Sequence, residues 1–183
     1  MRLAFLVPLC TLFLTSHALA GTVIVTAGIG RDCYLATLQA SSPYNDRNGL
    51  AACNEAVANS NDDKYNHIAA IVNRSDIWLR RMAFQEAVAD AEQAIALDRN
   101  QPVAHLNLGA GLVGLKRYSN AISSLDMAIS LGVRPLHLAY FDRALAKEAL
   151  HDIRGAYWDY KKALELDPSF ELATQELVRF KVN

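Results

Sequence analysis

The sequence predicts an all-α solenoid, a superhelix of stacked antiparallel helix pairs, and two observations carry that prediction. One 34-residue pattern recurs three times, beginning at Ile68, Pro102 and His137. Each copy places a small residue at its eighth position (Ser75, Gly109, Ala144) and Ala at its twentieth and twenty-seventh (Ala87 and Ala94, Ala121 and Ala128, Ala156 and Ala163). Small residues at fixed offsets let two short helices approach closely and stack on the next pair. Such a pattern points to a binding scaffold rather than a catalyst.

Taken in chain order, residues 1–20 come first and form a different kind of segment. Arg2 precedes an apolar run from Leu3 to Cys10 that continues through Leu12, Phe13 and Leu14 and ends in Ala18, Leu19 and Ala20. A small-x-small ending of this kind suits a signal peptidase, so residues 1–20 read as a cleaved secretory signal. The apolar core is about 12 residues long against the roughly 20 that a membrane-spanning helix needs, which makes an uncleaved anchor the weaker alternative. Cys10 lies inside that core behind Val7, Pro8 and Leu9, a context that argues against lipidation.

Residues 21–67 form a leader and a Cys-containing cap. Residues 21–30, GTVIVTAGIG, are β-branched and then Gly-rich, which predicts a flexible or extended leader. A short helix is expected over 31–39 around Cys33, broken by Ser41, Ser42 and Pro43. A second is expected over 48–58, with Leu50, Cys53, Ala56 and Val57 on one face and the polar run 59–64 ending it. Two cysteines, Cys33 and Cys53, remain after signal removal, and an even count in an exported protein favours a disulfide over two buried thiols. Closing a loop of about 20 residues stabilises by roughly 3 kcal/mol in the chain-entropy model.

The repeats are predicted at 68–101, 102–135 and 137–170. In the third, the first helix is expected to run to about Leu150 and turn at His151 and Asp152, and the second to stop at Leu166 ahead of Pro168. The second repeat should break at Gly132, Val133, Arg134 and Pro135, with Leu136 as an extra loop residue. Residues 171–183 read as a C-terminal capping helix, with Leu172, Leu177, Val178 and Phe180 on its apolar stripe.

Over half of the chain from residue 21 onward resembles the tetratricopeptide repeat. The resemblance rests on Tyr140, Ala144, Ala156, Tyr160, Ala163 and Pro168 in the third copy and on Leu108, Gly109, Ala121, Leu125 and Ala128 in the second. Departures fall at position 7 (Arg74, Arg143), position 11 (Lys147) and position 32 (Arg99, Val133). The resemblance implies an α-α superhelix of three tetratricopeptide repeats with an N-terminal helical cap and a C-terminal capping helix. The layout also looks like small exported bacterial proteins of this family.

In the family, positions 2, 5, 9 and 12 of each first helix line a concave groove. On this sequence they fall at Ala69, Val72, Asp76 and Leu79, then Val103, Leu106, Ala110 and Val113, then Leu138, Phe141, Leu145 and Glu148. The resemblance therefore implies a mostly apolar groove, suited to an amphipathic helix or an extended segment with hydrophobic anchors. None of these positions is Lys or Arg, so the clamp by which some members hold a peptide's terminal carboxylate is not expected. An array that fills its own groove, with the leader or the cap, is the alternative. Asn73, Asn107 and Asp142 occupy position 6 and form a polar ladder that either ties repeats together or contacts a bound peptide's backbone. Arg74, Arg80 and Arg81, near Asp62, Asp63 and Asp76, read as a solvated, salt-bridged surface.

Other classes find little support. Lys and Arg number 18 against 19 Asp and Glu, a net charge of -1 without the basic excess of a nucleic-acid binder. His67, His105, His137 and His151 lack the spacing of a zinc helix, so no metal is expected. Gly28 and Gly30 lack the third glycine of a phosphate loop, no serine sits in a nucleophile-elbow context, and no cofactor is expected. The expectation is an exported, periplasmic or secreted, non-catalytic scaffold that binds a protein or peptide, without nucleic acid and without membrane insertion after signal cleavage. A structural subunit assembled through convex or capping-helix surfaces is the alternative.

Overall fold

A computed structural model describes residues 30–38, 43–60 and 63–180. The expected signal at 1–20 and leader at 21–29 lie outside these residues, as do Ser41, Ser42 and Asp62. Among the described residues there are nine helices and no strand. None of these helices is long and apolar enough to cross a membrane.

The cap is a helical hairpin, α1 (Gly30–Leu38) and α2 (Pro43–Asn59), that packs on α3 (Lys64–Arg80). Its helix α2 begins five residues earlier than the sequence reading placed it. Pro43 opens that helix rather than breaking the chain, because a first-turn residue has no intrahelical use for its N–H. Cys33 and Cys53 form a disulfide between the two helices, with Cα atoms 4.5 Å apart and both residues wholly buried. The helices come so close that a Cβ on Gly49 would lie 2.6 Å from the Ala36 Cβ.

Three helix pairs follow: α3 with α4 (Phe84–Leu97), α5 (Pro102–Gly114) with α6 (Tyr118–Ser130), and α7 (Leu136–Ala149) with α8 (Ile153–Leu166). The second helix of each pair packs on the first helix of the next, and successive first helices touch. The cap hairpin is joined to α3 in the same way, with α2 as the preceding second helix. Each unit buries its apolar side only against its neighbours, so an end without a cover would expose core.

Local signals explain the boundaries. Asp63 caps α3 by accepting from the Asn66 N–H at 3.1 Å, which starts that helix four residues ahead of Ile68. Every first helix ends alike, with a left-handed residue at position 15: Met82 (φ 57°), Lys116 (φ 60°) and His151 (φ 64°). The next N–H then bonds back to the carbonyl five residues earlier, Ala83 to Trp78, Arg117 to Leu112 and Asp152 to Lys147. This is the Schellman ending, here made without the usual glycine. α8 stops at Leu166 as expected, but Leu136 is the first residue of α7 behind Pro135 and not a loop residue.

The last helix, α9 (Glu171–Val178), packs on α8 and is shorter than expected. It turns Ala173 and Glu176 inward, three residues apart on one face, so Val178 falls on the outer side and is 78% exposed.

Small residues at position 8 permit the tight pairing. Ser75 donates its hydroxyl to the Ala87 carbonyl at 2.9 Å, and a Cβ on Gly109 would stand 2.4 Å from the Leu125 Cγ. Leu125 is wholly buried and cannot retreat into open space. Gly109→Ala is therefore expected to destabilise the protein by about 1–3 kcal/mol through overpacking, read as a lowered urea midpoint by circular dichroism. An unchanged midpoint would show that the pair can separate without loss.

Candidate functional site: the concave face of α3, α5 and α7

The predicted groove residues fall on three neighbouring helices, and most are withdrawn from water. At position 5, Val72, Leu106 and Phe141 are buried; at position 2, Ala69, Val103 and Leu138 are buried as well. Positions 9 and 12 grade along the array. Asp76, Leu79, Ala110 and Val113 are buried, whereas Leu145 and Glu148 are half-buried.

The polar ladder sits among these residues. Asn73 and Asn107 are wholly buried and Asp142 nearly so. The Asn107 amide donates to the Val72 carbonyl at 3.2 Å, a bond from one repeat to the preceding one. Burial pushes the Asp142 carboxyl up to about 7.

The arginines do not form the solvated surface that their spacing suggested. Arg80 pairs with Asp76 in a buried contact and donates to the Thr37 carbonyl at 3.1 Å, which ties the groove-side carboxylate to the cap. Arg81 stacks over Trp78 at 5.8 Å. Arg74 makes a bidentate pair with Asp90 on α4, at 2.8 and 2.7 Å, and reaches Asn54 on α2 at 3.0 Å.

Arg143 repeats that geometry four helices further on: a bidentate pair with Asp159 on α8, at 2.8 and 2.7 Å, and a bond to Asp126 on α6 at 2.5 Å. Lys147 adds a third cation contact on Asp159 at 2.7 Å. The departures from the family pattern at positions 7 and 11 are thus one device, a cation from the first helix bound to an Asp of the second. Its signal was present in the sequence, since Arg and Asp are 16 residues apart both times.

At the C-terminal end Glu148 leaves the groove for a different set of partners. It accepts from the Tyr160 hydroxyl at 2.9 Å and from Arg179 at 2.9 Å, and Arg179 also pairs with Glu176. Burial, aided by Glu148, raises the Tyr160 phenol above its ordinary range. Burial likewise raises Glu176, with Arg179 opposing. Phe141, Tyr160, Phe170 and Phe180 form a chain of edge-to-face and tilted rings around this network, with centroids 5.0–5.7 Å apart.

The histidines are engaged locally. His67 faces the Ser60 hydroxyl at 3.2 Å, His105 the Arg99 carbonyl at 2.9 Å, and His137 packs on Phe170 with Asp167 at 3.7 Å. Among the described residues no group of three or more His, Cys, Asp or Glu is placed to hold a metal ion.

Helix pairs stacked in this order, with alanines in register at positions 20 and 27, define a tetratricopeptide-repeat solenoid of three repeats capped at both ends. Comparison with known proteins agrees. The sequence is 32% identical over 100 residues to RNA polymerase II-associated protein 3 of Mus musculus and 34% identical over 94 residues to that of Xenopus tropicalis. These matches cover 55% and 51% of this chain but only 15% and 14% of the relatives' length. No protein-family model matches.

Among solved structures, the first TPR of Spaghetti (RPAP3), bound to the HSP90 peptide SRMEEVD, superposes with a TM-score of 0.57 at 27% identity, covering 61% of this chain and 88% of that one. The crystal structure of MamA superposes more extensively, with a TM-score of 0.64, 18% identity and coverage of 84% and 82%. At that identity the likeness to MamA concerns the fold alone.

Proposed function

We propose that this protein is an exported tetratricopeptide-repeat scaffold that binds a protein or peptide segment on the concave face of α3, α5 and α7 and performs no chemistry of its own. The observation that carries the reading is a continuous apolar face, Val72, Leu106 and Phe141 at its centre, crossed by the ladder Asn73, Asn107 and Asp142. Apolar side chains on such a face can anchor those of a partner, while the Asn107 amide holds successive repeats in register. The peptide held by the first TPR of Spaghetti supports the reading by analogy. Export rests on the signal-like residues 1–20.

Because the concave positions carry no Lys or Arg, a peptide ending in Glu-Glu-Val-Asp should find no partner for its carboxylates. SRMEEVD is expected to show no saturable binding up to about 1 mM by fluorescence anisotropy. Tight binding would overturn the apolar reading of the groove. The substitution that tests the groove itself is Leu145→Glu, since Leu145 is half-buried and its loss leaves the core intact. Partners cross-linked to the protein in cells are expected to disappear with Leu145→Glu while the circular dichroism spectrum is unchanged. An identical set of captured partners would sink groove binding.

A second reading, a structural subunit, draws on exposed apolar residues at the other end of the molecule. Ile153, Trp158 and Val178 on α8 and α9 are 50%, 54% and 78% exposed. A stable homo-oligomer in solution that dissociates on Val178→Asp would favour it.

A further inference from the structure

We propose that α1 and α2 are a fourth repeat that forms only when Cys33 and Cys53 are joined, so that oxidation extends the concave face from three first helices to four. The consequence for binding rests on the concave-face reading above; the ordering of the hairpin does not.

The register follows from which residues are buried. With Gly30 as position 1, Cys33 falls at position 4, Thr37 at 8, Gly49 at 20, Cys53 at 24 and Ala56 at 27, and all five are buried. Positions 8, 20 and 27 carry a small buried residue in every other repeat. From position 20 to position 29 the succession of buried, half-buried and exposed residues on α2 matches that on α6, residue for residue. Side-chain bonds give the same register independently. Arg74 and Arg143, both at position 7, reach back to position 25 of the preceding unit, to Asn54 in one case and to Asp126 in the other. Gly30 and Ile68 are 38 residues apart instead of 34, and the four additional residues are those by which α3 starts ahead of Ile68.

Tyr34 then takes position 5, the position of Val72, Leu106 and Phe141. It is half-buried and packs on the core cluster that contains those three residues. The Thr37 carbonyl accepts from Arg80 at 3.1 Å, and Arg80 pairs with Asp76 at position 9 of the next unit. α1 packs on α2 and α3 as α3 packs on α4 and α5, so it is the first helix at the N-terminal end of the concave face.

This pair differs from the others in what holds it together. Positions 4 and 24 are Ile71 and Ala91, His105 and Leu125, and Tyr140 and Tyr160 in the three repeats, whereas here a covalent bond joins them. The cluster around the bond consists of Ala56, Ala70 and Ile77 with Ala36, Leu50 and Val57 at its edge, and it contains no aromatic ring. Stabilisation by burial scales with apolar area, and these residues offer little of it. α1 has nine residues, fewer than the roughly 12–15 that an isolated helix needs in water. Without the bond, α1 has neither the length nor the apolar contacts to remain paired with α2.

Both cysteines are wholly buried, so a reductant reaches the bond only when the hairpin opens. Closure is a step taken once, as the chain meets a disulfide oxidant. One cysteine thiolate attacks the oxidant's disulfide and the other attacks the mixed disulfide. The oxidant leaves as a dithiol with the two electrons and two protons that the cysteines give up.

Amide hydrogen exchange of the full chain tests the proposal, with Cys10→Ser throughout so that no third thiol is present. Refolded from urea in excess dithiol, the chain is expected to lose protection by about 100-fold or more across α1 and α2, while α5 to α8 keep theirs within about threefold. Cys33→Ile with Cys53→Ala places the first repeat's own residues at positions 4 and 24. That variant is expected to recover hairpin protection to within about tenfold of the oxidised chain, with or without dithiol. Protection of α1 and α2 that survives reduction would mean that the pair needs no bond, and would overturn the proposal. Loss of equal size in α5 to α8 would overturn it as well, because the hairpin would then not order separately. A variant no better protected than the reduced chain would overturn the register. Exchange involves no partner and the Leu145→Glu capture involves no thiol, so failure here and failure of the concave-face reading are told apart.

Discussion

Asp159→Ala is expected to cost about 3 kcal/mol of stability, the loss characteristic of breaking a partly buried ion pair and stranding its partner. Asp159 accepts both guanidinium arms of Arg143 and the ammonium of Lys147, and its side chain is only 7% exposed. Burial by itself lowers the Arg143 pKa, but the bonds and charges of Asp159 and Asp126 outweigh it and hold the group above its ordinary range. Without Asp159 the guanidinium keeps only the bond of one arm to Asp126, and the Lys147 ammonium loses its contact as well. In a chain of this size the loss corresponds to a melting temperature lower by roughly 10 °C.

The second repeat supplies the control for that experiment, since it holds the same positions with Leu108 and Ser124. Removing both charges together, as Arg143→Leu with Asp159→Ser, is expected to recover stability to within about 1 kcal/mol of the parent, because an apolar replacement avoids the desolvation that the ion pair must offset. Thermal and urea melts of the three proteins decide it. A double variant as unstable as Asp159→Ala would mean that the pair contributes net stability instead of specifying how α6, α7 and α8 meet.

That device shows where sequence reading succeeds and where it stops. The solenoid was legible because Ala87, Ala121 and Ala156 recur at a fixed offset, and stacking tolerates little else there. The end of α8 was legible because Pro168 acts on the backbone directly. Arg74 and Arg143 looked like departures because a single position was compared with a family pattern; their meaning lies in the pairing with Asp90 and Asp159 on another helix. The turns at Met82 and Lys116 gave no signal, since a left-handed conformation held by tertiary packing requires no glycine. The hairpin of α1 and α2 also lacked the repeat's alanines, though it meets α3 as a preceding pair would, with Asn54 contacting Arg74 as Asp126 contacts Arg143. Burial of the concave face entered the sequence reading only as the alternative of a self-filled groove, because it depends on what else in the chain packs there and not on the residues that form the face.

Asp142→Asn is expected to raise stability at alkaline pH and to leave it nearly unchanged in acid. Position 6 carries Asn73 and Asn107 in the first two repeats, and the Asn107 amide donates to the Val72 carbonyl of the repeat before it. A protonated Asp142 can donate as that amide does; an ionised one can only accept. Its folded-state value of about 7, raised by burial from an ordinary 3.8, fixes the sign. Below the unfolded value both states are protonated and the full contribution is present. As pH rises the unfolded chain releases its proton first, so stability falls through the interval and the contribution is lost above the folded value. The loss is on the order of 4 kcal/mol by linkage. Melting temperatures of parent and variant should therefore coincide near the ordinary aspartate value and diverge by roughly 10 °C or more above pH 8. A difference independent of pH would show that the Asp142 carboxyl has the same pKa in the folded and the unfolded chain.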